Sequence, residues 1–131
     1  MEKAGMKTRD IQFFSEKNQT MVVTHTRWAR DYAKYLEAQS WVSSYEAGVP
    51  LELERFQHVN PVDIRPDYFQ TPWVSDFLLR YADGRAGVRE LVLADGLKKR
   101  ATIEKLELSR RYWAALDVAD WKIVMLQGRD S

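Results

Sequence analysis

The chain has no cysteine, and that absence excludes a disulfide scaffold, a thiolate zinc site and thiol catalysis together. Histidine is almost as scarce. His25 and His58 stand far apart with no partnering motif, so an imidazole metal pair is not expected. Long hydrophobic runs are missing too; the longest aliphatic stretches are about four residues, such as Ile123-Val-Met-Leu126, far short of a membrane span. Residues 1–10 carry charges but no apolar segment of the kind a secretory signal needs, so the expected address is the cytoplasm. Neither sign of charge dominates: 20 Lys+Arg against 19 Asp+Glu leave a net charge of +1. Globally basic nucleic-acid binding is thereby excluded, and any DNA affinity must come from a local patch.

What is present suits one folded domain. The 131 residues are 45% hydrophobic and 30% charged, enough apolar side chain to close one core. Five Trp, six Tyr and five Phe argue against intrinsic disorder. No repeat, low-complexity tract or linker divides residues 1–131, which read as a single domain with polar tails at 1–10 and 127–131.

Apolar stretches at 11–14 and 20–24 flank the polar segment 15–19, the pattern of a hairpin. Trp28, Tyr32, Tyr35 and Leu36 recur at helical spacing over 26–40, with Thr26 as N-cap. Residues 41–46 read as extended. The alternation of 51–56 predicts a further half-buried strand. Three prolines, Pro61, Pro66 and Pro72, mark 57–72 as a long loop. Strands follow at 73–81 and 87–94 around an Asp83-Gly84 turn. A helix over 98–116 carries Ile103, Leu106, Tyr112, Trp113 and Leu116 on its apolar side, and 121–126 is a last buried strand. Behind the hairpin the order is α, β, β, β, α, β, and the last crossover is expected to be right-handed. The expected class is α/β with a restriction-endonuclease-like (PD-(D/E)XK) core: a mixed β-sheet flanked by helices, with an N-terminal β-hairpin.

The residues also carry a resemblance. Val74-Ser-Asp-Phe-Leu-Leu-Arg-Tyr-Ala-Asp-Gly84, with Thr102-Ile-Glu-Lys-Leu-Glu-Leu-Ser-Arg-Arg-Tyr-Trp113, resembles the N-terminal domain of the TnsA family of transposition endonucleases. Trp28-Ala-Arg-Asp-Tyr32 is similar to that family's Leu-Glu-Arg-Asp-Phe helix motif, and Val42-Ser-Ser-Tyr-Glu46 with Pro50-Leu51 to its next strand. The resemblance implies Mg²⁺-assisted cleavage of DNA at transposon ends, beside a DDE transposase and an AAA+ ATPase regulator. Carboxylates on two strands and one helix hold the cation in such a site, and a lysine stabilises charge on the attacked phosphate.

Carried over residue by residue, the motif is half present. Asp76 matches the aspartate and Glu90 the acidic position, and these two are the expected metal ligands. Ala29 stands where the helix glutamate belongs, and Val92 where the lysine belongs. Asp31 and Glu37 are too far around or along the helix to replace the glutamate. Asp76 has an alternative as an Arg80-paired carboxylate. Glu90, between Val88 and Val92 on its own face, needs a cation, an arginine or a proton nearby. Lys98, Lys99 and Arg100 form the expected nucleic-acid patch or a solvated helix start; Arg110 and Arg111 read as a solvated face beside Glu104 and Glu107. Trp73 is an interface anchor or core. Three readings follow: a degenerate transposition subunit that binds DNA or its transposase partner, an active Mg²⁺-dependent endonuclease with its lysine relocated to Lys98 or Lys99, and a small protein-binding domain whose nuclease ancestry is incidental.

Overall fold

The computed structural model describes residues 10–127, so the tails expected at 1–10 and 127–131 lie outside the described residues except for Asp10 and Gln127. Strands β1 (Ile11–Ser15) and β2 (Thr20–Thr24) form the N-terminal hairpin, in register from Ile11 opposite Thr24 to Ser15 opposite Thr20. Helix α1 (Arg27–Glu37) follows, and the Thr26 hydroxyl caps it by accepting the Ala29 N–H at 2.9 Å. The main sheet has the order β3 (Val42–Pro50), β4 (Val74–Tyr81), β5 (Ala86–Leu93), β6 (Asp120–Leu126). The first two pairings are antiparallel; β5 and β6 are parallel, joined by helix α2 (Arg100–Ala115). The fold is thus a mixed α/β arrangement with an N-terminal hairpin. No described helix is long and apolar enough to cross a membrane.

Two cores lie on opposite faces of the sheet. One joins Ala33 and Leu36 of α1 to Val22, Val42, Tyr45, Phe77, Leu79, Tyr81 and Leu91. The other packs Leu106, Leu108, Tyr112 and Trp113 of α2 against Leu78, Val88 and Val92, and is extended by Leu51, Phe56, Val59 and Ile64. Because the sheet is covered on both faces, β5 is buried from Gly87 to Val92.

Several sequence expectations need correction. Residues 51–56 are not a strand. Leu51 makes one last backbone bond to Trp73 O, and Leu53–His58 then winds into a 3-10 helix. Leu53 is left exposed, while Phe56 turns edge-on to Tyr112 and Phe69, so aromatic packing on α2 overrides the local alternation. The 57–72 loop contains a second 3-10 turn, Pro66–Gln70. Ile103 of α2 and Leu116 just beyond its end are exposed, and the buried side of α2 instead includes Glu104, Leu108 and Ser109. The last strand is not buried as expected, because it lies at the sheet edge with Ile123 and Met125 exposed. Arg111 clamps the long loop through Asn60 O at 2.6 Å and Val62 O at 2.8 Å. Glu107, held by Arg110 and Arg111, has its carboxyl lowered to about 2.

The hairpin is tied down by polar contacts. Asn18 mimics a strand edge, donating to Tyr45 O at 2.6 Å and accepting the Tyr45 N–H at 3.0 Å. Glu37, at the end of α1, accepts from the Ser15 and Tyr45 hydroxyls. Burial raises its carboxyl, but these donors outweigh burial and hold it below its ordinary value.

At the far end of the sheet, Gly87 permits a close approach. A Cβ there would collide with the Tyr81 hydroxyl and lie 3.1 Å from Asp120 O. Gly87→Ala is therefore expected to displace Tyr81 and cost about 1–3 kcal/mol, read as a lower urea midpoint at an unchanged slope.

Candidate functional site

The expected site rests on Asp76 and Glu90 facing one side of neighbouring strands. They do not. β4 changes phase at Asp76, opposite Gly48, whose φ of 72° belongs to the left-handed region that glycine tolerates. On one side of this point Phe77, Leu79 and Tyr81 face the α1 layer; on the other, Ser75 faces α2. Simple strand alternation would set Ser75, Phe77 and Leu79 on one face; it is broken there. The β4–β5 ladder stops at the Phe77–Arg89 pair. Beyond it the Asp76 carboxylate accepts the Leu91 N–H at 2.7 Å, standing in for a backbone carbonyl.

Asp76 lines a small pocket of about 70 Å³ on the α1 side. Ala29 lines the same pocket, with Thr26, His25, Gly48 and Leu91. Asp76 and Ala29, two of the four positions at which the resemblance implies site residues, thus line one pocket. From β5 the residue that borders them is Leu91, not Glu90 or Val92.

Glu90 points the other way. It is fully buried, and Oε2 accepts from Ser75 Oγ at 2.6 Å, Ser109 Oγ at 2.8 Å and Trp73 Nε1 at 3.2 Å. Oε1 lies 3.4 Å from the Asp76 N–H. Each serine is itself fed by an indole: Trp113 Nε1 donates to Ser75 Oγ at 2.9 Å, and Trp121 Nε1 to Ser109 Oγ at 3.1 Å. An indole can only donate, so both serine hydroxyls direct their protons to the carboxylate. The donors converge on one acceptor. Trp73 is accordingly core, and Val92 sits in the α2-side cluster, 2% exposed.

These donors do not form a cation cage. Asp76 and Glu90 serve different layers, and among the described residues no three His, Asp or Glu side chains converge as a metal-binding group. Asp31 is largely exposed beside Arg30, and Glu37 is occupied at the hairpin. Arg80 is exposed. In the basic patch, Lys98 pairs with Asp95 at 3.5 Å and Arg100 with Glu104 at 3.0 Å, while Lys99 precedes α2. Glu104 also accepts the Arg65 N–H at 2.9 Å, so this part of α2 anchors the long loop. His25 pairs with Asp10 at the surface.

Sequence reasoning identified the need of Glu90 for a partner but not the partners. Ser75, Ser109, Trp113 and Trp121 lie on three different elements, and nothing local links them. Comparison with protein-family models and with curated proteins finds no match to this chain.

Glu90→Ala removes the common acceptor and opens a cavity, and is expected to cost at least about 3 kcal/mol in urea denaturation. Glu90→Gln keeps the volume but sets an amide N–H₂ among donors, with an expected loss of about 1–2 kcal/mol. Equal stability of Glu90→Gln and the parent would show that the carboxylate's all-acceptor character is not needed.

Proposed function

We propose that this chain is a catalytically degenerate subunit of a DNA-transposition complex. It keeps a restriction-endonuclease-like (PD-(D/E)XK) core akin to the N-terminal domain of the TnsA endonucleases, and engages transposon-end DNA beside a DDE transposase, and an AAA+ ATPase regulator where one is present, without cutting. The observation that carries this reading is the enclosure of Glu90 by Ser75, Ser109 and Trp73 on the α2 side, while Asp76 and Ala29 share a pocket on the α1 side.

Phosphodiester hydrolysis of this class needs carboxylates gathered around Mg²⁺ and a cation beside the attacked phosphate. Here one carboxylate position is Ala29 and the lysine position is buried Val92. Glu90 serves the core instead. Turning it outward would strip two serines and an indole of their shared acceptor. The active reading, with Lys98 or Lys99 as the lysine, would need that rearrangement. Duplex phosphates are met by Lys98, Lys99 and Arg100, which lie just beyond the C-terminal end of β5, the end of the sheet that also carries Asp76.

The test is a supercoiled-plasmid nicking assay with millimolar Mg²⁺ or Mn²⁺, run alongside melting curves in the same cations. The expected outcome is no nicking above the Asp76→Ala background and no rise in Tm with the cation. Nicking that Asp76→Ala abolishes would overturn the degenerate reading. Val92→Lys is expected to destabilise the fold by several kcal/mol, because it places an ammonium in the α2-side core, and not to restore cutting. For the DNA role, Lys98→Ala with Lys99→Ala is expected to reduce the magnitude of the salt slope of duplex binding by about 1–2. An unchanged slope would remove the patch from the proposal.

A further inference from the structure

A second concavity lies at the opposite end of the sheet. It measures about 380 Å³, large enough for one nucleotide-sized group, and opens beside the β4–β5 turn. Its floor is Arg89 and Asp120. The Arg89 side chain is only 7% exposed and donates to Val88 O at 3.0 Å, Asp120 O at 3.2 Å, Tyr81 Oη at 3.2 Å and Asp120 Oδ2 at 3.3 Å. The Tyr81 hydroxyl also donates to Asp120. Burial raises the Asp120 carboxyl, but Tyr81 and Arg89 outweigh it and hold Asp120 below its ordinary value, so the floor is a balanced ion pair.

The walls are different. Arg85 and Lys122 are mostly exposed; Arg85 pairs with Asp83 at 2.9 Å and lies over the Tyr81 ring, and Lys122 stands 3.8 Å from Asp120. Three cations against two carboxylates leave one net positive charge around the opening. Trp41 forms the remaining wall. Its N–H is fixed by Gln39 Oε1 at 3.2 Å, its ring is set edge-on to Tyr81 at 5.6 Å, and 39% of the residue is open to solvent. A held, solvent-facing indole beside exposed cations is the combination that takes an unstacked base on its π-face and the adjoining phosphate on its charges.

We propose that this cleft binds a nucleotide of single-stranded DNA, the base stacked on Trp41 and the phosphate met by Arg85 and Lys122. A duplex cannot use it in this way, because its bases are already stacked on one another. A free phosphate would leave the Trp41 wall unused, and an acidic peptide offers no flat ring. The cleft does not depend on the chemistry at Asp76 or on nuclease descent.

The experiment titrates a short oligothymidylate into the full chain and follows the Trp41 indole N–H by NMR, with affinity from anisotropy at several salt concentrations. The resonance is expected to move. Trp41→Ala is expected to weaken binding about tenfold or more, and Trp41→Phe to retain most of it. Lys122→Ala is expected to reduce the magnitude of the salt slope by about 0.7 with the Tm unchanged. Equal affinity in Trp41→Ala, or an equal response to inorganic phosphate or to an acidic peptide, would overturn the proposal. Lys98→Ala with Lys99→Ala should weaken duplex binding and leave oligothymidylate binding intact, so this proposal and the duplex-DNA reading fail separately.

Discussion

A carboxylate removed from water must have its lone pairs filled, and the way Glu90 meets that demand organises the α2 half of the molecule. Its oxygens draw donors from the start of β4, from the segment just before it and from the middle of α2; through the serines they also draw the indoles of α2 and β6. The donors come from three separate stretches of chain, the entry to β4, α2 and β6, so the network can be satisfied only when α2 lies across β4 and β6 in one position. Hydrophobic contact alone would let a helix slide along a sheet. A convergent set of directional bonds does not.

The same demand constrains chemistry. A carboxylate that accepts from two hydroxyls and an indole inside a closed layer is stable where it is, and a cation site would have to compete with those bonds. The phase change at Asp76 and Gly48 completes the separation, because it sends Ser75 toward α2 while Asp76 turns to the pocket shared with Ala29. Glu90, expected from the sequence as a metal ligand, is part of the packing.

The other face is held by different means. The hairpin docks through half-buried Asn18 and Glu37, and the far end of the sheet through buried Arg89 and Tyr81 with half-buried Asp120, each a polar group with named partners. Among the described residues no buried side-chain polar atom is left without a partner. Polar groups thus fix the position of each layer, and the apolar clusters fill the space between them.

Much of the element plan was legible in the sequence because it depends on near neighbours. The hairpin, the Thr26 cap, both helices and the β4–β5 turn follow from local periodicity and turn chemistry, and the apolar row around Glu90 already required a partner for it. The 51–56 segment failed because its alternation was overruled by Phe56 packing on Tyr112, distant in the chain. The face of Asp76 failed because β4 changes phase there, opposite a glycine of left-handed φ in the neighbouring strand. The identity of the Glu90 partners, the pocket shared by Ala29 and Asp76 and the cleft at Trp41 were decided only in three dimensions. Each joins residues from separate elements, and a linear pattern records which side chains need burial or a partner but not which distant chain supplies it.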